Sequence, residues 1–327
     1  MKKLCFFYLL VLLASCSPNS KDQDYSKLSG AIFGTTYNMT YLNTSGKDYQ
    51  ENIDSLFAMA NQSLSTYISD SDISKINRGE EGVFVDSLFV EVFQKSDRIY
   101  RESQGFFDPT IGLVVNAWGF GPEVNSNPPD SSRIRELMKY VGFDKVQLNG
   151  GLVIKESPEI YFDFNAIAKG YGVDLIGRFF ESQGIDNYLI EIGGEIRARG
   201  SNPEGNAWRI AIEKPNSDGT RSLQEIISLK NESIATSGNY RKYKIDPNTG
   251  KKYVHTIDAQ SGLASQNDLL SVSVISALDC ADVDAYATAF MAMGKEKTLS
   301  FLENRSDLKV FLIYLDEVGQ NQVYKNW

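Results

Sequence analysis

Ile53, Leu56, Phe57, Ala60 and Leu64 recur at helical spacing, which predicts a helix over residues 48–64. Leu88, Val92, Phe93, Ile99 and Tyr100 do the same over 86–102. Asp108 followed by Pro109 predicts another helix start, since Asp caps well and Pro fits a first turn; that helix runs to about Trp118, where Gly119 to Pro122 ends it. Residues 123–130, with Pro128-Pro129, read as a surface loop before a helix over 131–141. Further helices are predicted over 166–183, 279–293 and 295–304. Strand-like runs cover 32–42, 159–162, 188–192, 196–199, 208–213, 225–229, 233–236, 240–245, 269–276, 308–314 and 321–325, and 145–155 reads as a hairpin turning at Asn149-Gly150-Gly151. Helices crowd the first half and antiparallel strands the second, so the pattern predicts an α+β fold rather than a doubly wound parallel sheet.

The 327 residues carry 33 Lys and Arg against 42 Asp and Glu, a net charge of -9. With no basic block, a nucleic acid is not the expected partner. Any bound anion is therefore held by a local site, a metal or backbone amides.

The amino terminus changes the picture of where the chain works. Met1-Lys2-Lys3, the apolar run from Leu4 to Leu13 and then Ala14-Ser15-Cys16 follow the order of a secretory signal, and the run is too short for a permanent membrane span. Leu13 to Cys16 also resembles the lipobox of bacterial lipoproteins, in which the Cys becomes the lipidated first residue. The expectation is a signal over 1–15, a polar tether over 16–27 and one domain over 28–327, exported, anchored to a membrane through Cys16 and facing the periplasm. Cys5 leaves with the signal and Cys280 sits in an apolar stretch, so no disulfide framework is expected.

Among residues that could do chemistry, Asp284 and Thr288 stand four apart on one face of an otherwise apolar helix. A carboxylate and a hydroxyl there suit a hard cation such as Mg2+; they equally suit a helix-end carboxylate and a Thr bonded to its own helix. In the segment from Asp163 to Asp174 a helix entrance follows Asp163, and Lys169 can add positive charge for an anion, although an N-capped helix with a solvated Lys reads the same. Gly- and hydroxyl-rich turns are expected at 33–37, 192–196 and 235–239. His255 is the only histidine and a candidate general base or a structural residue. Zinc sites and Cys/His catalysis lack ligands.

Taken in order, Phe33-Gly-Thr-Thr-Tyr37, Leu64-Ser-Thr-Tyr67, Phe107-Asp-Pro-Thr110, Asn116-Ala-Trp-Gly-Phe-Gly121, Asp163 to Asp174, Ile192-Gly-Gly-Glu195, Ala235-Thr-Ser-Gly238, His255-Thr-Ile-Asp258 and Asp284 to Thr288 resemble the ApbE family, the FAD:protein FMN transferases. The resemblance implies an α+β fold that takes FAD as substrate and Mg2+ as cofactor. It implies metal ligation by Asp284, Thr288 and a backbone oxygen of Ala166. It places Phe33, Thr66, Tyr67, Trp118, Gly119, Phe120, Asp163, Lys169, Thr236, Ser237, Gly238, His255 and Ile257 around the flavin nucleotide. Asn165 and Ala166 depart from the Ser or Gly of many members, and Glu195 from a common Asp.

The activity so implied cleaves the FAD pyrophosphate and joins FMN through a phosphoester to a Thr of a target flavoprotein, releasing AMP. His255 or Asp258 would take the hydroxyl proton. The rival readings are a Mg2+-dependent FAD pyrophosphatase and a non-enzymatic FAD-binding lipoprotein.

Overall fold

A computed structural model describes residues 25–122, 128–216, 220, 222–240, 243–246, 249–250 and 252–327. The chain opens with β1 (Tyr25–Ile32) and β2 (Thr35–Leu42), then α1 (Gln50–Leu64), α2 (Asp72–Asn77), α3 (Ser87–Glu102), α4 (Gly112–Ala117) and α5 (Ser131–Leu137). The hairpin β3 (Val146–Asn149) and β4 (Leu152–Lys155) leads to α6 (Ala168–Ser182). Then follow β5 (Tyr188–Ile192), β6 (Glu195–Arg199), β7 (Trp208–Glu213), β8 (Leu223–Leu229), β9 (Glu232–Gly238), β10 (Tyr243–Ile245), β11 (Lys252–Val254) and β12 (Leu269–Ser276). The last elements are α7 (Cys280–Met293), α8 (Lys295–Leu302), β13 (Lys309–Leu315) and β14 (Asn321–Lys325).

One eight-stranded sheet, in the order β1-β2-β5-β6-β9-β12-β13-β14, organises the molecule, and its ladders are antiparallel. Alternation sends Tyr37, Met39 and Tyr41 of β2 and Tyr188, Ile190 and Ile192 of β5 to one face, where α1 and α6 cover them, while α7 lies over β6, β9 and β12 and α3 packs on α1 and α7. Each such side chain contributes about 1.5–3 kcal/mol by leaving water. On the other face the β7–β8 hairpin lays Trp208, Ile210, Ile212, Ile227 and Leu229 against Ile196, Ile234, Ile275 and Phe311. A third cluster joins α4 and α5 to the 257–264 segment through Val114, Trp118, Phe120, Ile134, Ile257 and Ala264. Helix α7 is apolar on nearly every side and correspondingly buried on nearly every side. Cys280 is a free, fully buried thiol. No helix among the described residues is long and apolar enough to cross a membrane.

The α+β class holds, with several local corrections. Tyr25, Ser26 and Lys27, assigned to the tether, pair with Leu42, Tyr41 and Thr40 in the first ladder, because the Leu28 and Ile32 side chains pack on the core and carry the polar strand with them. Asp108 caps no helix: its Oδ1 accepts from the amide and hydroxyl of Thr110, closing a turn, and α4 starts only at Gly112. Residues 159–162 form no strand beyond one bridge between Tyr161 and Ile111. The segment is instead held by Asn77, whose side chain donates to the Phe162 carbonyl and accepts from its amide. Helix α6 begins at Ala168, two residues late. Thr236, Ser237 and Gly238 lie in β9 rather than in a turn. The short α2 and β11 escaped the periodicity reading. The signal peptide, Cys16, the tether up to residue 24, residues 123–127 of the expected loop and residues 241 and 242 of the expected strand lie outside the described residues.

Candidate active site at the junction of α6 and α7

Asp284 is buried on α7, and its Oδ2 accepts the amide of Gly170 from the first turn of α6 at 3.1 Å. Gly at 170 is what lets the helices meet: a Cβ there would stand 2.4 Å from the Cys280 carbonyl oxygen. The Gly170 amide, in the unpartnered first turn of α6, donates to the carboxylate, and among the described residues no amide donates to the carbonyl of Ala166, which precedes the helix. Lys169 Nζ lies 3.8 Å from Asp284 Oδ1 and 2.6 Å from Oε1 of Glu195, which enters from the start of β6 after the Gly193-Gly194 turn. Burial would lower the Lys169 ammonium, but the Asp284 and Glu195 carboxylates outweigh it and raise its pKa. Burial also raises the carboxyls of Asp284 and Glu195, with Lys169 opposing in both. Glu195 Oε2 is buried without a hydrogen-bond partner.

Thr288, one turn beyond Asp284, lies 3.3 Å from the Ser237 hydroxyl, and Thr236 pairs with Ser273 of β12 at 2.7 Å. From the end of β9, Asn239 Oδ1 accepts the Thr256 hydroxyl at 2.7 Å, which ties the His255 segment to the Ser237 side of the site. The His255 ring meets Phe120 edge-on at 6.3 Å between centroids. Asp258 does something else: Oδ1 accepts from the Gln260 amide and Oδ2 from the Ser261 hydroxyl, so its carboxylate holds its own turn.

The expected nucleotide residues fall into two groups. Phe33, at a positive φ of 51° before Gly34, lays its ring against Gly172 of α6, where a Cβ would come within 2.6 Å of it. Tyr67 is more than half exposed, with Asp163 and Asn165 nearby; the buried part of its ring and then the Asp163 charge raise its pKa. Asp163 Oδ1 accepts the Asn165 amide, and its own amide donates to the Pro109 carbonyl. Thr66 buries a hydroxyl with no partner. Trp118, Phe120 and Ile257 are mostly packed in the third cluster, where Trp118 Nε1 donates to the Gly262 carbonyl. Gly119, at φ 72°, turns the chain between the two aromatic rings.

The donor set fits a hard cation: one carboxylate, one hydroxyl and a carbonyl with no amide on it. Among the described residues no three His, Cys, Asp or Glu side chains cluster for a metal, so such an ion would complete its shell with waters or ligand oxygens. The Gly170 amide and the Glu195 carboxylate belong to this junction and were not among the expected site residues. Glu195 stood out in the sequence only as a departure from Asp, and nothing local marks an amide that bonds across 114 positions.

The family model described as "ApbE family" matches residues 33–312. The chain belongs to the ApbE family. It is 38% identical over 315 residues to the FAD:protein FMN transferase of Vibrio cholerae, covering 94% of this chain and 92% of that one. The corresponding protein of Haemophilus influenzae is 36% identical over 334 residues, with 98% and 95% covered. Among solved structures, flavin transferase ApbE from Vibrio cholerae superposes with a TM-score of 0.84 at 36% identity, covering 93% of this chain and 97% of that chain. The apo form of the Pseudomonas stutzeri flavinyl transferase ApbE gives 0.81 at 30% identity, with 93% and 95% covered.

Proposed function

We propose that the chain uses the α6–α7 junction to hold Mg2+ at the pyrophosphate of FAD and moves FMN onto a Thr hydroxyl of a target flavoprotein, with AMP as the leaving group. Transfer of FMN from FAD to protein is the chain's activity as a member of this family. The metal, the acceptor hydroxyl, the base and the anchor are the finer reading. One observation carries it: the Gly170 amide ties Asp284 to the head of α6, where the Ala166 carbonyl accepts no amide among the described residues, and Thr288 follows Asp284 one turn on along α7. Asp284, Thr288 and Ala166 would hold the ion, which when bound neutralises pyrophosphate charge and stabilises the departing phosphate.

The protein's own groups do the rest. The acceptor oxygen bonds to the FMN phosphorus as the bond from that phosphorus to the bridging oxygen breaks, and AMP leaves with the bridging oxygen. Lys169 adds positive charge beside the phosphates. The hydroxyl proton needs a base because its pKa lies far above neutrality, and the role is assigned to His255, the side chain whose ordinary pKa lies nearest neutrality. Asp258, the other candidate, has both oxygens engaged in its own turn, so it shapes the segment that presents His255. Phe33 and Tyr67 flank the entrance of α6 as ring surfaces for the flavin. We read the location as an exported lipoprotein held to a membrane through Cys16.

Protein stripped with EDTA and supplied with FAD and the target flavoprotein tests this reading. Transfer is expected to return with Mg2+ and to fail when the acceptor Thr is replaced by Ala. Full transfer without a divalent ion, or onto the Ala variant, would refute it.

A further inference from the structure

We propose that Asp174 is a positioning residue for the metal site: from the second turn of α6 it fixes the first turn of α7 and so sets where Asp284 and Thr288 stand. The inference rests on the reading of those two residues as metal ligands. Asp174 is fully buried, and its two oxygens each accept one amide of α7, Cys280 to Oδ1 and Ala281 to Oδ2, both at 2.9 Å. Arg197 of β6 donates to Oδ1 at 2.8 Å and completes the carboxylate's partners.

The first amides of a helix have no partner within it, and those of Cys280 and Ala281 are shut off from water, so something must accept them. The residue before the helix does not. Asp279 makes no side-chain cap, because its carboxylate is drawn outward to Lys95, Arg178 and Arg197. Asp174 supplies the cap from another helix instead.

One turn earlier on α6, the Gly170 amide runs the opposite way, to Asp284 one turn later on α7. The helices are thus locked on two rungs, an α6 carboxylate on α7 amides and an α6 amide on an α7 carboxylate. Sliding α7 by one residue, about 1.5 Å, would break both. It would also carry Asp284 and Thr288 away from the Ala166 carbonyl at the head of α6. The bland alternative is that Asp174 supports folding alone.

The full chain with FAD, titrated with Mn2+ and followed by loss of the free-ion EPR signal, separates the two. Asp174→Asn, which puts an NH2 group against one α7 amide, is expected to weaken Mn2+ binding about tenfold or more. Asp174→Glu keeps the charge on a longer stem and is expected to weaken it less; it serves if the Asn variant does not fold. Ile227→Ala, in the hairpin on the far side of the sheet, is the control: its melting temperature should fall while Mn2+ affinity stays within about twofold of the parent, whereas the Asp174 variants should lose affinity even where their melting temperature falls no further than that of Ile227→Ala. Asp284→Ala should lose Mn2+ binding altogether. Parent-like affinity in both Asp174 variants, or equal weakening in Ile227→Ala, would overturn the proposal. Retained affinity in Asp284→Ala would instead place the metal elsewhere and remove the reading beneath it.

Discussion

Asp279, Asp282 and Asp284 stand within one stretch of sequence, and only their partners tell them apart. Asp279 and Asp282 face Lys95, with Arg98 also on Asp282 and Arg178 and Arg197 also on Asp279, a network of ion pairs away from Gly170. Asp284 turns the other way, to Gly170 and Lys169. Asp284→Ala should therefore abolish FMN transfer, while Thr288→Ala, which removes a dipole rather than a charge, should leave a weaker activity that needs more Mg2+. Initial rates against Mg2+ concentration check both, and an unchanged Mg2+ response in Asp284→Ala would contradict the site. His255→Ala should still bind FAD, as read by flavin fluorescence, and turn over at least ~100-fold more slowly. A variant that keeps turnover and loses only melting temperature makes His255 structural. At this scale helical spacing alone already placed Asp284 and Thr288 on one face, the helix entrance after Asp163 and the single histidine pointed to Lys169 and His255, and the family resemblance added Ala166. Gly170 and Asp174 were not legible, since their partners are set by how two distant helices pack.

Elements were legible where the pattern is dense, as in α1, α3, β5, β7 and β12, whose apolar positions repeat without interruption. They failed where a polar side chain takes the backbone's bonds. Asp108 reads as a helix cap but bonds Thr110, whose hydroxyl accepts the Gly142 amide, so the Asp organises a buried turn ahead of α4. Burial pushes its carboxyl up to about 6, against the pull of Thr110. A pKa raised on folding means the native state holds the proton more tightly. The associated stability is full below the unfolded value near ~4 and is lost as pH rises through about 6. Asp108→Asn keeps an acceptor oxygen for Thr110 and loses the charge. Its stability relative to the parent should thus rise by up to ~3 kcal/mol between pH 4 and pH 7, as read from denaturant midpoints. A difference that does not change with pH would contradict a buried, strained carboxylate here.

For the whole molecule, the α+β class follows from the segregation of patterns, but the sheet order does not. Strands from both ends of the described chain share one sheet, and β2 pairs with β5 across the six helices α1 to α6 that lie between them, a closure no local spacing encodes. The anchor is read from sequence alone. Cys16 should be the first residue of the mature protein, carrying lipid and partitioning into detergent, whereas Cys16→Ala should be recovered soluble; identical soluble behaviour of both would exclude the anchor. In the proposed reaction this fold splits FAD at a metal held by Asp284 and delivers FMN to a Thr on another protein. Intact mass of the acceptor, measured alongside AMP after incubation with FAD and Mg2+, tests it most directly. The expected result is an acceptor heavier by one esterified FMN, one AMP released for each, and neither product with Asp284→Ala. AMP and free FMN beside an acceptor of unchanged mass would contradict it.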